Sequence, residues 1–256
     1  MTNYTFPAWP FYSEDSITHV TDVLRSGKVN YWTGDLCKKF ESNFSDYISS
    51  PHCISVTNGT VALELSLLAL GFAPGDEVIV TPRSFIASVS SVVRSGARPI
   101  FADVDQHTGN LTAETIRPHI NSRTKAVVCV HLGGLPCDLD ELHKLTKKYK
   151  IPLIEDAAHA LGATFKGKPI GSISDFTMFS FQAIKHITTA DGGMLCMKNK
   201  KIIKKAKRIR WFGIDREKKQ KATWENDIFE IGYKYQMTDL GASVGLEGLK
   251  DFKKIL

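Results

Sequence analysis

Apolar residues recur every three to four positions over Glu14–Ser26 and again over Leu36–Ile48, and Gly27 stops the first run. That spacing is helical, because residues three and four apart share one face of a helix. From Cys53 onward the pattern changes. Short continuous apolar runs at Cys53–Val56, Glu77–Thr81, Arg98–Asp103, Lys125–Val130 and Ile151–Glu155 predict buried strands. Helical stretches separate them at Thr60–Leu70, Ser84–Arg94, from Leu111-Thr112-Ala113-Glu114 onward, and at Leu139–Tyr149. Gly71, Pro74-Gly75-Asp76 and Gly96 punctuate the alternation. Strands alternating with helices predict an α/β chain with three layers, α/β/α, around a mostly parallel mixed sheet.

Past Ala157 the rhythm is different. Lys166-Gly167-Lys168-Pro169 predicts a hairpin between Ala163–Phe165 and Ile170. Strands follow at Phe176–Phe181 and Gly193–Met197, and a cationic helix at Lys200–Arg210. No repeat or low-complexity linker interrupts the 256 residues, so they read as one domain with an N-terminal helical segment over about residues 1–50.

The formal charge is +6, and much of the excess lies in Lys198–Arg210 and Arg216–Lys221. No aromatic residues alternate with the charges in the first run and no nucleic-acid motif is present, so a solvated helix face is expected rather than a nucleic-acid surface. A basic surface also suits an anionic small substrate. The five cysteines, Cys37, Cys53, Cys129, Cys137 and Cys196, are scattered and form no Cys-x-x-Cys pair. That argues against zinc or a disulfide scaffold and for a reducing compartment, with Cys53, Cys129 and Cys196 in the core. Met1–Ser13 has no signal-peptide pattern, and the longest apolar stretch, Val61–Ala73, contains Glu64 and is too short to span a bilayer. A soluble cytoplasmic protein with no membrane partner is expected.

The most informative segment is Ser180-Phe181-Gln182-Ala183-Ile184-Lys185, continuing to Asp191-Gly192-Gly193. It sets one lysine in a hydroxyl- and glycine-rich turn between two apolar runs. A lysine held there and partly desolvated loses its proton more easily and can attack a carbonyl to form a Schiff base. Other groups also fall at strand ends, where open α/β sheets bind ligands. Gly59-Thr60 opens a helix whose free N–H groups suit a phosphate, although an ordinary N-cap by Asn58 or Thr60 explains the same residues. Asp156 ends a strand and needs a cation or hydrogen-bond donors; a protonated pyridine nitrogen would serve, as would a role capping the next segment. His159 either contacts a ligand oxygen or is a half-buried polar residue. Phe85 either stacks on a flat ring or fills core. Ser180 either joins the phosphate site or caps its loop. Taken together, these residues match the parts that hold pyridoxal 5'-phosphate (PLP): a Schiff-base lysine and an acid for the ring nitrogen.

At these positions the chain resembles the DegT/DnrJ/EryC1/StrS family of sugar aminotransferases, which have the fold type I architecture. The matching segments are Tyr31-Trp32-Thr33-Gly34, Val56–Leu63, Ala73–Ile79, Phe101–Asp105, Val130–Gly134, Ile154–His159, Phe179–Lys185 with Asp191–Gly193, and Gly232–Tyr235 with Met237–Asp239. They run in order from about Asn30 to the end.

The resemblance implies that Lys185 is the catalytic lysine and moves the proton between substrate carbon and cofactor. It implies that Asp156 holds the pyridine nitrogen protonated, that Phe85 stacks on the ring, and that His159 lies near the ring oxygen. Gly59, Thr60 and Ser180 would hold the phosphate. Family members transfer an amino group, usually from glutamate, to a nucleotide-linked keto sugar, and work as homodimers. They carry an Asn in the Gly-Tyr-x-Tyr-x-Met segment that reaches the neighbouring subunit's phosphate; Gln236 is read here as standing at that position. They also continue into a small C-terminal domain, which a chain ending at Leu256 lacks, so it reads as a fragment, a truncated product or half of a split enzyme. Two alternatives stand beside the aminotransferase: an impaired PLP-binding homologue serving as a dimerisation partner, and a sugar dehydratase. Dehydratases of the family have His at the lysine position, whereas this chain has Lys185 with His186 beside it.

Overall fold

The computed structural model describes residues 9–216 and 227–256. Of the basic run Arg216–Lys221, residues 217–221 lie outside the described residues, as do residues 1–8. In chain order the elements begin with α1 (Glu14–Ser26), α2 (Leu36–Ile48), β1 (His52–Val56), α3 (Gly59–Leu70) and β2 (Glu77–Val80). Next come α4 (Ala87–Arg94), β3 (Arg98–Phe101), α5 (Ala113–Ile116), β4 (Thr124–Val130), α6 (Leu139–Tyr149) and β5 (Leu153–Asp156). The hairpin β6 (Thr164–Phe165) and β7 (Lys168–Pro169) precedes β8 (Phe176–Ser180), β9 (Gly193–Met197), α7 (Lys200–Arg210) and α8 (Asp239–Ile255).

Local chemistry sets several of these boundaries. Ser13 caps α1 by accepting from the Ser16 N–H, and Gly27, at φ 67°, ends it in the left-handed region. Thr112 and Thr115 form a reciprocal capping box, but the helix they start, α5, is only four residues long. The helix expected over Ser84–Arg94 begins later, at Ala87, because Ser84–Ile86 form a turn.

Seven strands make one sheet in the order β1-β9-β8-β5-β4-β2-β3. The pairs β3/β2, β2/β4, β4/β5 and β5/β8 are parallel, while β9 runs antiparallel to both neighbours, β8 and β1. Two antiparallel pairings around one strand leave β1 pointing the same way as β8. The carboxyl ends of β1, β8, β5, β4 and β2 therefore share one edge, where helix starts and loops gather.

Both faces of the sheet are covered, which gives the three-layer α/β/α fold. Strand residues alternate between two apolar clusters. On one side Val127, Cys129 and Phe179 pack with Phe40 and Phe44 of α2, Leu142 of α6 and Phe252 of α8. On the other side Ala126, Val128 and Phe176 pack with Leu63 and Leu67 of α3 and Ile203 and Ile209 of α7. Phe44 lies against Phe179 and Phe181, ring centres 5.2 and 5.5 Å apart, and so ties the N-terminal helices to β8. Burying one such ring stabilises by roughly 1.5–3 kcal/mol. All five cysteines are buried with free thiols, Cys37 and Cys137 included. Among the described residues no helix is long and apolar enough to cross a membrane, and no cluster of side chains has a metal-ligand arrangement.

Candidate active site

The shared strand edge borders a cavity of about 990 Å³. Gly59, Thr60, Phe85, Asp156, His159, Ser180 and Lys185 all line it. The chain thus brings together every site residue expected from the sequence.

The lysine loop is pinned at its base. Phe181 donates its N–H to the Gly192 carbonyl at 2.8 Å, and Thr189 donates its N–H to the Phe181 carbonyl at 2.9 Å. The buried Thr188 hydroxyl donates to the same carbonyl and accepts from the Ala190 N–H. The hydroxyls of the turn therefore satisfy backbone groups. Lys185 stands half-buried at the free end. Partial burial holds its amine below the ordinary lysine value of 10.5, with nearby Asp156 acting in the opposite direction. Burial, followed by the positive field of Lys185, likewise lowers His159.

Asp156 and Glu155 end β5 and point to opposite faces of the sheet, as alternation requires. Asp156 is 6% exposed and faces the cavity. Its Oδ2 accepts from the Ser88 hydroxyl at 2.7 Å and its Oδ1 from the Ala158 N–H at 3.2 Å. It forms no ion pair among the described residues. Glu155, on the other face, accepts from His131 Nε2 at 2.7 Å, the Thr177 hydroxyl at 3.0 Å and the Ser174 N–H at 3.2 Å. His131 Nδ1 in turn accepts the Cys137 N–H, so the ring is anchored on both sides. Burial acts to raise Glu155, but these donors hold it below its ordinary range.

Where α3 starts at the cavity wall, Asn58 and not Thr60 caps the helix, accepting the Val61 N–H at 2.9 Å. The N–H groups of Gly59 and Thr60 lie in the first turn and have no intrahelical acceptor. Two glycines make this turn possible. A Cβ on Gly59 would come within 2.7 Å of Ser180 Cβ, and one on Gly193 within 2.5 Å of the Asn58 carbonyl oxygen. Phe85 is 73% exposed beside the cavity, so the core-filling reading of this residue does not hold.

Sequence reasoning missed two polar groups. The first is Ser84–Ser88, whose hydroxyls lie 2.7 Å apart and lead to Asp156; two serines at i, i+4 around a helix start were the available signal. The second is Glu64, which accepts from Tyr235 and pairs with Arg94, both at 2.9 Å. Gln236, standing where the family has Asn, is buried within the chain and accepts the Trp32 indole N–H at 3.2 Å. Lys234, two residues earlier, is exposed.

A family profile, that of the DegT/DnrJ/EryC1/StrS aminotransferases, matches the sequence over residues 10–256. The chain belongs to the DegT/DnrJ/EryC1/StrS aminotransferase family. It is 37% identical to UDP-4-amino-4-deoxy-L-arabinose–oxoglutarate aminotransferase of Shewanella sediminis, over 96% of this chain and 64% of that one. An aminotransferase structure from Psychrobacter cryohalolentis superposes with a TM-score of 0.92 at 41% identity, covering 96% of this chain and 64% of that chain. The PLP form of a protein from Streptococcus pneumoniae assigned to the sugar aminotransferases gives 0.89 at 36% identity, covering 98% and 68%. The chain thus spans 64% of the length of the curated DegT/DnrJ/EryC1/StrS relative named above.

Proposed function

We propose that the chain is the cofactor-binding part of a PLP-dependent aminotransferase that moves an amino group from glutamate to a nucleotide-linked keto-deoxy sugar. The observation that carries this reading is Asp156: a buried carboxylate, without a cationic partner among the described residues, facing the same cavity as a half-buried lysine. Buried carboxylates are stable when a cation completes their environment. The donor set fits PLP, with a carboxylate for a protonated ring nitrogen, helix-start N–H groups and the Ser180 hydroxyl for a phosphate, and an amine for the aldehyde. Once bound there, the cofactor would supply a carbonyl for amine exchange and a ring that withdraws electrons from the bond being broken.

The chain's own residues take the remaining roles. Asp156 keeps a proton on the ring nitrogen and is itself fixed by Ser88 and the Ala158 N–H. The Lys185 amine, its proton affinity reduced, accepts and returns a proton at the substrate carbon. Phe85 and His159, which line the same cavity, would flank a bound ring, the first at its face and the second near its oxygen. The sugar-nucleotide substrate class comes from the Shewanella relative and the family. A homodimer is proposed on the same basis, consistent with Ile228 and Ile231 exposing 70% and 83% of their surface.

Borohydride reduction in the presence of PLP should attach the cofactor to the peptide carrying Lys185, and Lys185→Ala should abolish that label. A single turnover with glutamate should yield 2-oxoglutarate and the aminated cofactor. Labelling of a different lysine in the wild type would refute the assignment.

A further inference from the structure

A second cavity, of about 370 Å³, is walled by Tyr31, Trp32 and residues of α2 and α7. Tyr235 lines the Lys185 cavity, whereas Gln236 turns the opposite way to bond Trp32, a wall of this second one. Lys38 of α2, Lys204 of α7 and Arg216 project around it. Lys207, Arg208 and Arg210 of α7 complete a lining of six cations against two carboxylates, Glu41 and Asp215.

Several of these charges are already accounted for. Arg208 pairs with Glu230. Glu41 is turned inward, accepting from Arg210 at 2.7 Å, from the Ser55 N–H and hydroxyl at 2.9 Å, and from the Tyr31 hydroxyl at 3.1 Å. It therefore offers little negative charge to the cavity. Lys38 and Lys204 are exposed and make no ion pair among the described residues. Arg216 stacks its guanidinium 4.6 Å from the Trp32 ring centre. Arg210 is 2% exposed and borders the cavity, and its Nε has no hydrogen-bond partner. An unpartnered buried guanidinium N–H beside a concave cluster of cations is the environment of a missing anion.

We propose that this cavity binds a diphosphate group, with Lys38, Lys204 and Arg216 as its ligands and the Trp32 indole as a wall against which an attached ring can lie. The chemistry is that of a diphosphate, either free or carried by a nucleotide. Such a site is separate from Lys185 and does not depend on amino transfer.

Titration of the PLP-saturated protein with pyrophosphate, followed by calorimetry and tryptophan fluorescence, tests this. PLP loading keeps the phosphate end of the first cavity from competing. Saturable one-to-one binding is expected, weakening with added salt and at least tenfold weaker in the Lys38→Ala/Lys204→Ala double variant. Both lysines are exposed, so the fold should persist, and an unchanged thermal melt checks it. Lys185→Ala should leave binding intact. A parallel titration with UDP identifies the source: tighter binding than pyrophosphate assigns a nucleotide diphosphate, and weaker binding assigns a free one. The proposal is overturned if neither probe saturates, or if the double variant binds as well as the wild type. It is also overturned if binding is lost with Lys185→Ala.

Discussion

Ser88 donates its hydroxyl proton to Asp156 Oδ2 across 2.7 Å, joining the first turn of α4 to the last residue of β5. The carboxylate is thus oriented by a helix from the far side of the cavity. Ser88→Ala removes one of its two donors, and a hydrogen bond to a charged group contributes roughly 1.5–3 kcal/mol. The variant should bind PLP about tenfold or more weakly, measured by equilibrium titration. Unchanged affinity would show that the Ala158 N–H alone suffices.

Partial burial places Lys185 below the ordinary lysine value of 10.5. Only the neutral amine attacks an aldehyde, and a lowered pKa makes the neutral form abundant at lower pH. The rate at which PLP condenses with the protein should therefore rise with pH and reach half its plateau below pH 10.5. Stopped-flow absorbance over a pH series reads the midpoint; one at or above the free-lysine value would show an unperturbed amine.

Gly193→Ala tests the crowding between β9 and the α3 start. Its Cβ would meet the Asn58 carbonyl at 2.5 Å, a backbone atom that cannot rotate away. Overpacking of this kind costs typically about 1–3 kcal/mol, and displacement of Asn58–Gly59 should weaken phosphate binding as well. Urea midpoints give the first effect and PLP titration the second. Gly167→Ala, in the β6–β7 turn at φ 77°, strains that turn but adds a carbon with nothing within 4 Å, and should bind PLP normally.

Glu155→Gln removes a buried charge whose donors, His131, Ser174 and Thr177, remain in place. Disrupting such a buried network costs roughly 3–5 kcal/mol. The sign of the pH effect follows from the lowered Glu155 value. Its stabilisation is fully present above the ordinary carboxylate value of 4.5 and is lost as pH falls through the lower, folded-state value. The variant should therefore be less stable at neutral pH, yet lose less stability on acidification than the wild type does. Chemical denaturation at several pH values decides it.

The fold was legible wherever one local signal had no competitor. The periodicity and Gly27 placed α1, and the alternation of short apolar runs with helices predicted the parallel strands. The strand ends place Asp156 and Ser180, with Lys185 in the loop that follows, on one edge of the sheet. Other features depended on tertiary context. Phe85 looks like a core residue in one dimension, yet it precedes α4 and stands 73% exposed beside the cavity. The antiparallel insertion of β9 has no sequence mark, since a run buried on both faces reads the same in either direction. The pairing of Glu155 with His131 and the inward turn of Gln236 arise from partners 24 and 204 residues away in the chain, beyond any local pattern.

The strip Tyr235–Gln236 has a further consequence for how the chain tolerates change. Its two side chains serve different cavities only because neighbours in an extended segment face opposite ways. Thr57 and Val56 hold that register through the Tyr235 carbonyl and the bridge to Gln236. Deleting or inserting one residue just ahead of the strip would exchange the two faces, taking the tyrosine from Glu64 and the glutamine from Trp32 together. Most single substitutions disturb one cavity, whereas a one-residue indel here would disable both.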